Sequence, residues 1–196
     1  MPIEAREKLL YAGLKLFTEA GYQKTSVLEI VENARVSKTT FYQHFKSKED
    51  IMVALFEQLG NEMAEEVKRA ISQEERVTYK AFAGISRYIR ICFENREVAK
   101  ILLVESVGVS RNVELVRKKS HQVFATLILQ TVETELPTTV SQTEMKIVAQ
   151  AMVGAINEVI MLNFFDQKES TLSFEEISRL LNRIVISAFV HLGMQE

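Results

Sequence analysis

Cysteine, proline and glycine are scarce in this chain of 196 residues, and each scarcity removes a class of protein. The single cysteine, Cys92, leaves no partner for an internal disulfide and no multi-cysteine metal site, and it fits a reducing cytoplasm. Two prolines, Pro2 and Pro137, and seven glycines are too few punctuators for many short strands and turns, so long helices are expected. No apolar run approaches the roughly 18 to 20 residues that cross a bilayer. The start, Met-Pro-Ile-Glu-Ala-Arg-Glu, lacks a basic stretch followed by an apolar one, so no secretory leader is expected and the chain reads as soluble and cytoplasmic. Catalytic motifs are missing too. There is no glycine-rich phosphate loop, no G-x-S-x-G and no H-E-x-x-H, and His44, His121 and His191 fall on separate expected helices. Cys92 has no visible partner for a nucleophilic pair, so neither enzyme, metal nor cofactor is expected.

What is present is a helical globule. An apolar share of 47% and a charged share of 26% suit a protein with a core of its own, and a net charge of −2 excludes a surface that is basic all over. The periodicity predicts an all-α fold of about nine helices. The first carries Leu9, Leu10, Ala12, Gly13, Leu16, Phe17 and Ala20 and stops at Gly21. Ser26 and Glu29 form a capping box for the second, Ser37 caps a brief third helix through Phe45, and Ser47 caps a long fourth to about Gln73. The rest are expected at about 77–94, 96–107, 111–135, 142–165 and 174–192. Capping boxes at Ser141 with Glu144 and Ser173 with Glu176 open the last two, and Pro137 falls between helices. The expected domains are a helix-turn-helix over 1–48 and a ligand-binding and dimerisation domain over 49–196, joined inside the fourth helix without a flexible linker.

The segment TSVLEIVENARVSKTTFYQHF, residues 25–45, reads as helix, short turn and second short helix. Val27, Ile30, Val31, Ala34, Val36, Phe41 and Phe45 suit a tri-helical core with the first helix. Ser37, Lys38, Thr39, Thr40, Tyr42 and His44 are left for the outer face. From Asn33 to Lys48 the charged residues are Arg35, Lys38, Lys46 and Lys48, with no acid, and such a cationic stretch in an acidic chain suits phosphate. A helix-turn-helix lays its second helix in the major groove, where these side chains meet base edges. A helical dimer that binds another protein through the same helix, without DNA, is the alternative that composition leaves open.

These residues also carry a resemblance. VSKTTFYQHFKSKEDI at 36–51 resembles the segment after the turn in TetR-type repressors, and LFTEAGYQKTSVLEIVENA at 16–34 is similar to the stretch before it. The resemblance covers about residues 5–55; the remainder is similar only in length and helical character. It implies that Thr25 and Ser26 hold a phosphate, that Lys38, Thr39 and Thr40 face bases, that Tyr42 and His44 reach phosphates or a thymine methyl, and that Lys48 contacts phosphate. Arg35 stands where the family often has glycine, so it is expected at positive φ at a cost of roughly 1 kcal/mol while adding a cation beside the DNA. Val31 stands where alanine is frequent.

The family likeness also implies a homodimer on a palindromic operator, paired through its last two helices, and a small, largely apolar effector. Residues 142–165 and 174–192 are apolar around most of their girth, Phe165 included, which calls for burial on more than one side. The dimer face is expected at Met145, Ala149, Met152, Ile156, Ile177, Leu181, Ile184 and Ala188. The effector is expected among Leu59, Met63, Phe82, Ile85, Ile89, Phe93, Leu103, Val107 and Phe124, with His121 and Asn157 as polar groups. No membrane partner is expected, because no helix joins a basic face to a continuous apolar one.

Overall fold

The computed structural model describes residues 4–133, 140–164 and 172–193. Among them are nine α-helices: α1 (Ala5–Glu19), α2 (Val27–Ala34), α3 (Lys38–His44), α4 (Lys48–Ser72), α5 (Val77–Glu94), α6 (Arg96–Lys100), α7 (Arg111–Val132), α8 (Gln142–Phe164) and α9 (Phe174–Gly193). The all-α expectation holds. Pro137, Phe165 and the expected helix ends at 134–135 and 165 lie outside the described residues.

Local chemistry sets the starts and stops. Ser26 N–H donates to Glu29 Oε2 at 2.7 Å while Ser26 Oγ accepts from Glu29 N–H at 3.2 Å, so two orphan donors of α2 are satisfied reciprocally. Ser173 and Glu176 repeat this at α9, at 2.8 and 3.3 Å, and Ser141 and Glu144 at α8, at 3.2 and 3.3 Å. These bonds hold the Glu29 and Glu176 carboxyls below the usual carboxylate range, the backbone donor of each serine acting most strongly. Gly21 ends α1 at φ 92°, a conformation glycine adopts without a Cβ penalty.

The chain divides by packing into two compact units, residues 1–61 with 95–118, and residues 62–94 with 119–196. In the first, Leu9, Phe17, Ile30, Phe41, Ile51 and Ile101 are fully buried around α1. Here the expected single helix over 96–107 differs: α6 gives way to a π-helical turn, Ile101–Glu105, and Ser106 N–H donates to Ile101 O at 3.3 Å. The widened turn places Ile101, Leu102 and Leu103 in the core together. It also aims Glu105 at the end of α1, where Oε2 accepts from Tyr22 N–H at 2.9 Å and Oε1 lies 3.6 Å from Lys100 Nζ. Lys100 in turn donates to Thr18 O, and Arg117 donates to Leu102 O at 3.2 Å and to Ser106 Oγ at 2.7 Å.

In the second unit α5 packs on α9 and α8, and α8 on α9, around Ile89, Val153, Ile160, Leu181, Val185 and Phe189. Burial pushes the Cys92 thiol in this core up to about 12, so it is a small apolar filler. Among the described residues one helix, α8, is long and apolar enough over Gln142–Asn163 to cross a membrane by length and composition, and polar residues interrupt it throughout, so the expectation of no long apolar run stands. Its charged residues are Glu144 and Lys146 near the start and Glu158 near the end, and most of its polar residues are uncharged. Met145, Ala149, Val153, Ile156 and Ile160 form its buried face.

Candidate functional site

The first candidate surface is built on α3. Ser37 Oγ accepts from Thr40 N–H at 3.0 Å and starts the helix. Phe41, with no exposure, anchors it, and Phe45 follows in the same core with its ring 6.3 Å from that of Phe41. With Phe41 inward, Lys38, Thr39, Tyr42, Gln43 and His44 point outward, as do Ser26, Arg35, Ser37 and Lys46 nearby. Tyr42 is 53% exposed and leans edge-on against Phe41, at 5.1 Å between centroids. Arg35 takes φ 53° and ψ 47°, so the residue in the glycine position does adopt the left-handed conformation. Gln43, one turn beyond Thr39, belongs to this face and was not among the expected residues; the helical period alone points to it.

Three expected phosphate or base contacts are placed differently. Thr25 is buried and its hydroxyl donates to Gly21 O at 2.9 Å, because the loop closing α1 has a carbonyl to satisfy there. Lys48 Nζ lies 2.8 Å from Tyr22 O and from Thr25 O, 3.4 Å from Gln23 O, and 4.4 Å from the centroid of the Tyr22 ring. Its protons tie down the α1–α2 loop from α4, and desolvation holds its pKa below the usual lysine range against the pull of Glu29. Thr40 is half-buried, its hydroxyl 2.8 Å from Ser37 Oγ.

A second candidate lies inside the second unit. A narrow cavity is lined by Val67 and Ile71 of α4, Ala81, Gly84, Ile85 and Tyr88 of α5, Phe124, Leu127, Ile128, Thr131 and Val132 of α7, Val153, Ile156 and Asn157 of α8, and Val185 of α9. No charged side chain lines it. Its polar edge is a chain: Tyr88 hydroxyl donates to Asn157 Oδ1 at 2.7 Å, and Asn157 Nδ2 lies 3.4 Å from His121 Nε2. Burial pushes the Tyr88 phenol well up, so it remains a donor throughout the neutral range, and its ring meets Phe124 edge-on at 5.0 Å.

Of the residues expected around an effector, Ile85, Phe124 and Asn157 line this cavity and His121 stands behind Asn157. Met63 and Ile89 are buried away from it. Phe82 lines a separate surface groove with Leu172 and Leu180, and Phe93 lies 6.5 Å from the Phe174 ring. Leu59, Leu103 and Val107 belong to the first unit: Leu59 rests on its core, Leu103 is buried, and Val107 is exposed. Periodicity marks a side chain as inward-facing without saying which interior it faces. Tyr88, Gly84, Val153 and Val185 line the cavity without having been expected there.

The expected dimer face also moves. Met145, Ala149, Ile156, Ile177 and Leu181 are buried in the chain's own core, with Ile156 on the cavity wall, so a partner cannot be what covers them. Met152 and Ala188 are half-buried. Ile184 is exposed, together with Ile147, Ala151, Gly154, Ala155 and Leu162 of α8 and Leu180 and Val190 of α9. Among the described residues no group of three His, Cys, Asp or Glu side chains is placed to hold a metal.

Comparison with known proteins agrees with this layout. Residues 9–55 match the sequence model of the bacterial regulatory proteins, tetR family. The chain is 26% identical over 98 residues to the fatty acid metabolism regulator protein of Bacillus subtilis (strain 168), covering 50% of each chain. It is 30% identical over 117 residues to the HTH-type transcriptional activator FasR of Mycolicibacterium smegmatis, covering 55% of this chain and 53% of that one. The chain thus spans about half the length of these curated relatives. The transcriptional regulator FadR from Bacillus subtilis, solved in complex with stearoyl-CoA, has the same fold: the TM-score is 0.78 at 17% identity, over 93% of this chain and 98% of that one. The left-handed Arg35, the buried Phe41 and the outward face of α3 all fall inside residues 9–55, the segment in which the chain is similar to the tetR family of bacterial regulatory proteins.

Proposed function

We propose that this protein is a transcriptional regulator that reads a palindromic DNA operator as a homodimer and is released from it by a small, largely apolar effector. The observation that carries the reading is the outer face of α3: Lys38, Thr39, Tyr42, Gln43 and His44 exposed on a helix anchored by Phe41, within a stretch free of acids. Arg35, Lys38 and Lys46 supply the free cations for phosphate, since Lys48 is engaged by carbonyls. Residues 1–48 act as the reader and 49–196 as the sensor and dimer. The exposed apolar stripe of α8 and α9 is the surface a second copy would cover.

The apolar lining suits an aliphatic or aromatic body, with the Tyr88–Asn157 pair as the polar check. A fatty acid metabolism regulator among the similar proteins, and stearoyl-CoA in the FadR structure, support an aliphatic one. Helix α4 carries Val67 and Ile71 at the cavity and Lys48 at the α1–α2 loop, so a ligand that displaces it acts on the reader. A coupling of about 1–3 kcal/mol changes operator affinity by about 5- to 150-fold, enough for a switch. The protein acts by binding alone, in the cytoplasm.

The test is affinity selection of genomic fragments on the purified protein, repeated with Tyr42→Ala at the same salt. Enrichment of one short palindrome, lost in the variant and weakened steeply by salt, is the expected result. Failure of wild type to enrich any fragment, with and without added ligands, overturns the reading in favour of a protein-interaction module.

A further inference from the structure

The cavity described above has one end that differs from the rest. A groove lined by Lys68, Ile71, Ser72, Lys80, Leu127, Gln130 and Thr131 shares Ile71, Leu127 and Thr131 with the cavity wall. Two lysines therefore stand where the uncharged lining ends, with serine and glutamine beside them and no acid in the groove. Neither Lys68 nor Lys80 takes part in an ion pair among the described residues, although Arg87, Lys100, Arg117 and Arg179 all do. A neighbouring shallow groove adds Lys119 to Lys68, against a single acid, Glu65. The polar pair at the other end is neutral. Along α5, Lys80 and Tyr88 are eight residues apart, about 12 Å at 1.5 Å per residue, with Ala81, Gly84 and Ile85 between them on the wall.

Two unpaired ammonium groups at the edge of an uncharged apolar cavity are placed for a ligand with a charge at one end only. A cation there gains an anionic partner without being buried, and a chain beyond it gains the apolar lining. Resting on the reading of the cavity as an effector site, we propose that the effector is an anionic amphiphile: its aliphatic part lies along α5 and α7 inside the cavity, and its phosphate or carboxylate head sits between Lys68 and Lys80. The head is held outside the apolar wall, so its solvation is only partly lost. Small neutral hydrophobes lack the head contact, and amphiphilic cations are repelled.

The experiment is calorimetric titration of the full chain, below micellar concentrations, with decyl phosphate, decanoate, decanol and decyltrimethylammonium, on wild type, Lys68→Gln/Lys80→Gln, and Lys146→Gln as a distant exposed control. The two anions are expected to bind about tenfold tighter than decanol, the scale of one charge-assisted contact, with the ammonium weakest. In the double variant the anions should fall to the affinity of decanol while decanol itself is unchanged; the control should match wild type. A preference for phosphate over carboxylate identifies a phosphorylated head, and the reverse a free acid; both bear the proposal out. Equal binding of decanol and the anions by wild type, or anion preference surviving in the double variant, overturns the head-group site and leaves the cavity reading intact. Absence of binding by all four probes overturns the cavity reading as well.

Discussion

Arg35 holds φ 53° with a Cβ in place, in a position that glycine would occupy without strain. Left-handed backbone costs an ordinary residue about 1–2 kcal/mol. On the proposed function the exposed guanidinium beside α3 would offset that cost, as a group available to phosphate. Arg35→Gly should therefore move two properties in opposite directions. Its unfolding free energy is expected to rise by roughly 1 kcal/mol, less the entropy that glycine adds to the unfolded chain. Its operator affinity should fall, with a salt slope smaller by about one. Thermal melts and binding titrations over a salt series measure both; unchanged DNA affinity would place Arg35 away from the phosphates. Lys48 shows what residue type does not reveal. The sequence marks it as a cation in an acid-free stretch, yet its partners are carbonyls 23 to 26 positions away, which only the folded loop assembles.

Helix starts and stops were legible because their causes are local. Ser26 and Glu29, or Ser173 and Glu176, are three positions apart and close their own hydrogen bonds whatever the rest of the chain does. The π-helical turn was not, since it answers to a partner 83 positions away, the Tyr22 N–H that Glu105 accepts. The capping carboxylates also set an acid response. In the folded chain Glu29 and Glu176 ionise below the usual range, so each favours folding above its unfolded pKa of about 4.3 and loses that contribution as pH falls through the lower folded value. Glu29→Gln/Glu176→Gln keeps a side-chain acceptor at both positions and removes the titration. Stability of the double variant is expected to decline less steeply than wild type below about pH 5, as followed by urea unfolding at stepped pH. Parallel curves for the two proteins would show that the cap charges do not contribute.

For the molecule as a whole the proposed homodimer turns on which face of α8 and α9 would meet a second copy. Sequence periodicity favours Met145, Ala149, Met152 and Ile156, because an apolar stripe at helical spacing reads the same whether it faces a core or a partner. Burial separates the two. Ile156 is 6% exposed on the cavity wall, whereas Ile147, Leu162 and Ile184 are 59, 53 and 44% exposed. Substitutions at these two kinds of site should fail in different ways. Ile156→Ala removes buried methyl groups and should cost about 2–5 kcal/mol while the protein stays dimeric. Ile184→Asp places a charge on the exposed stripe; its helical content should match wild type while sedimentation velocity shows monomer. Operator binding should then collapse in Ile184→Asp, because half-sites about 34–36 Å apart are read together only by paired recognition helices. Ile156→Ala should keep that binding wherever it remains folded. A dimeric Ile184→Asp beside a monomeric Ile156→Ala would return the interface to the face the periodicity favours, and would require α8 to leave its own core to reach a partner.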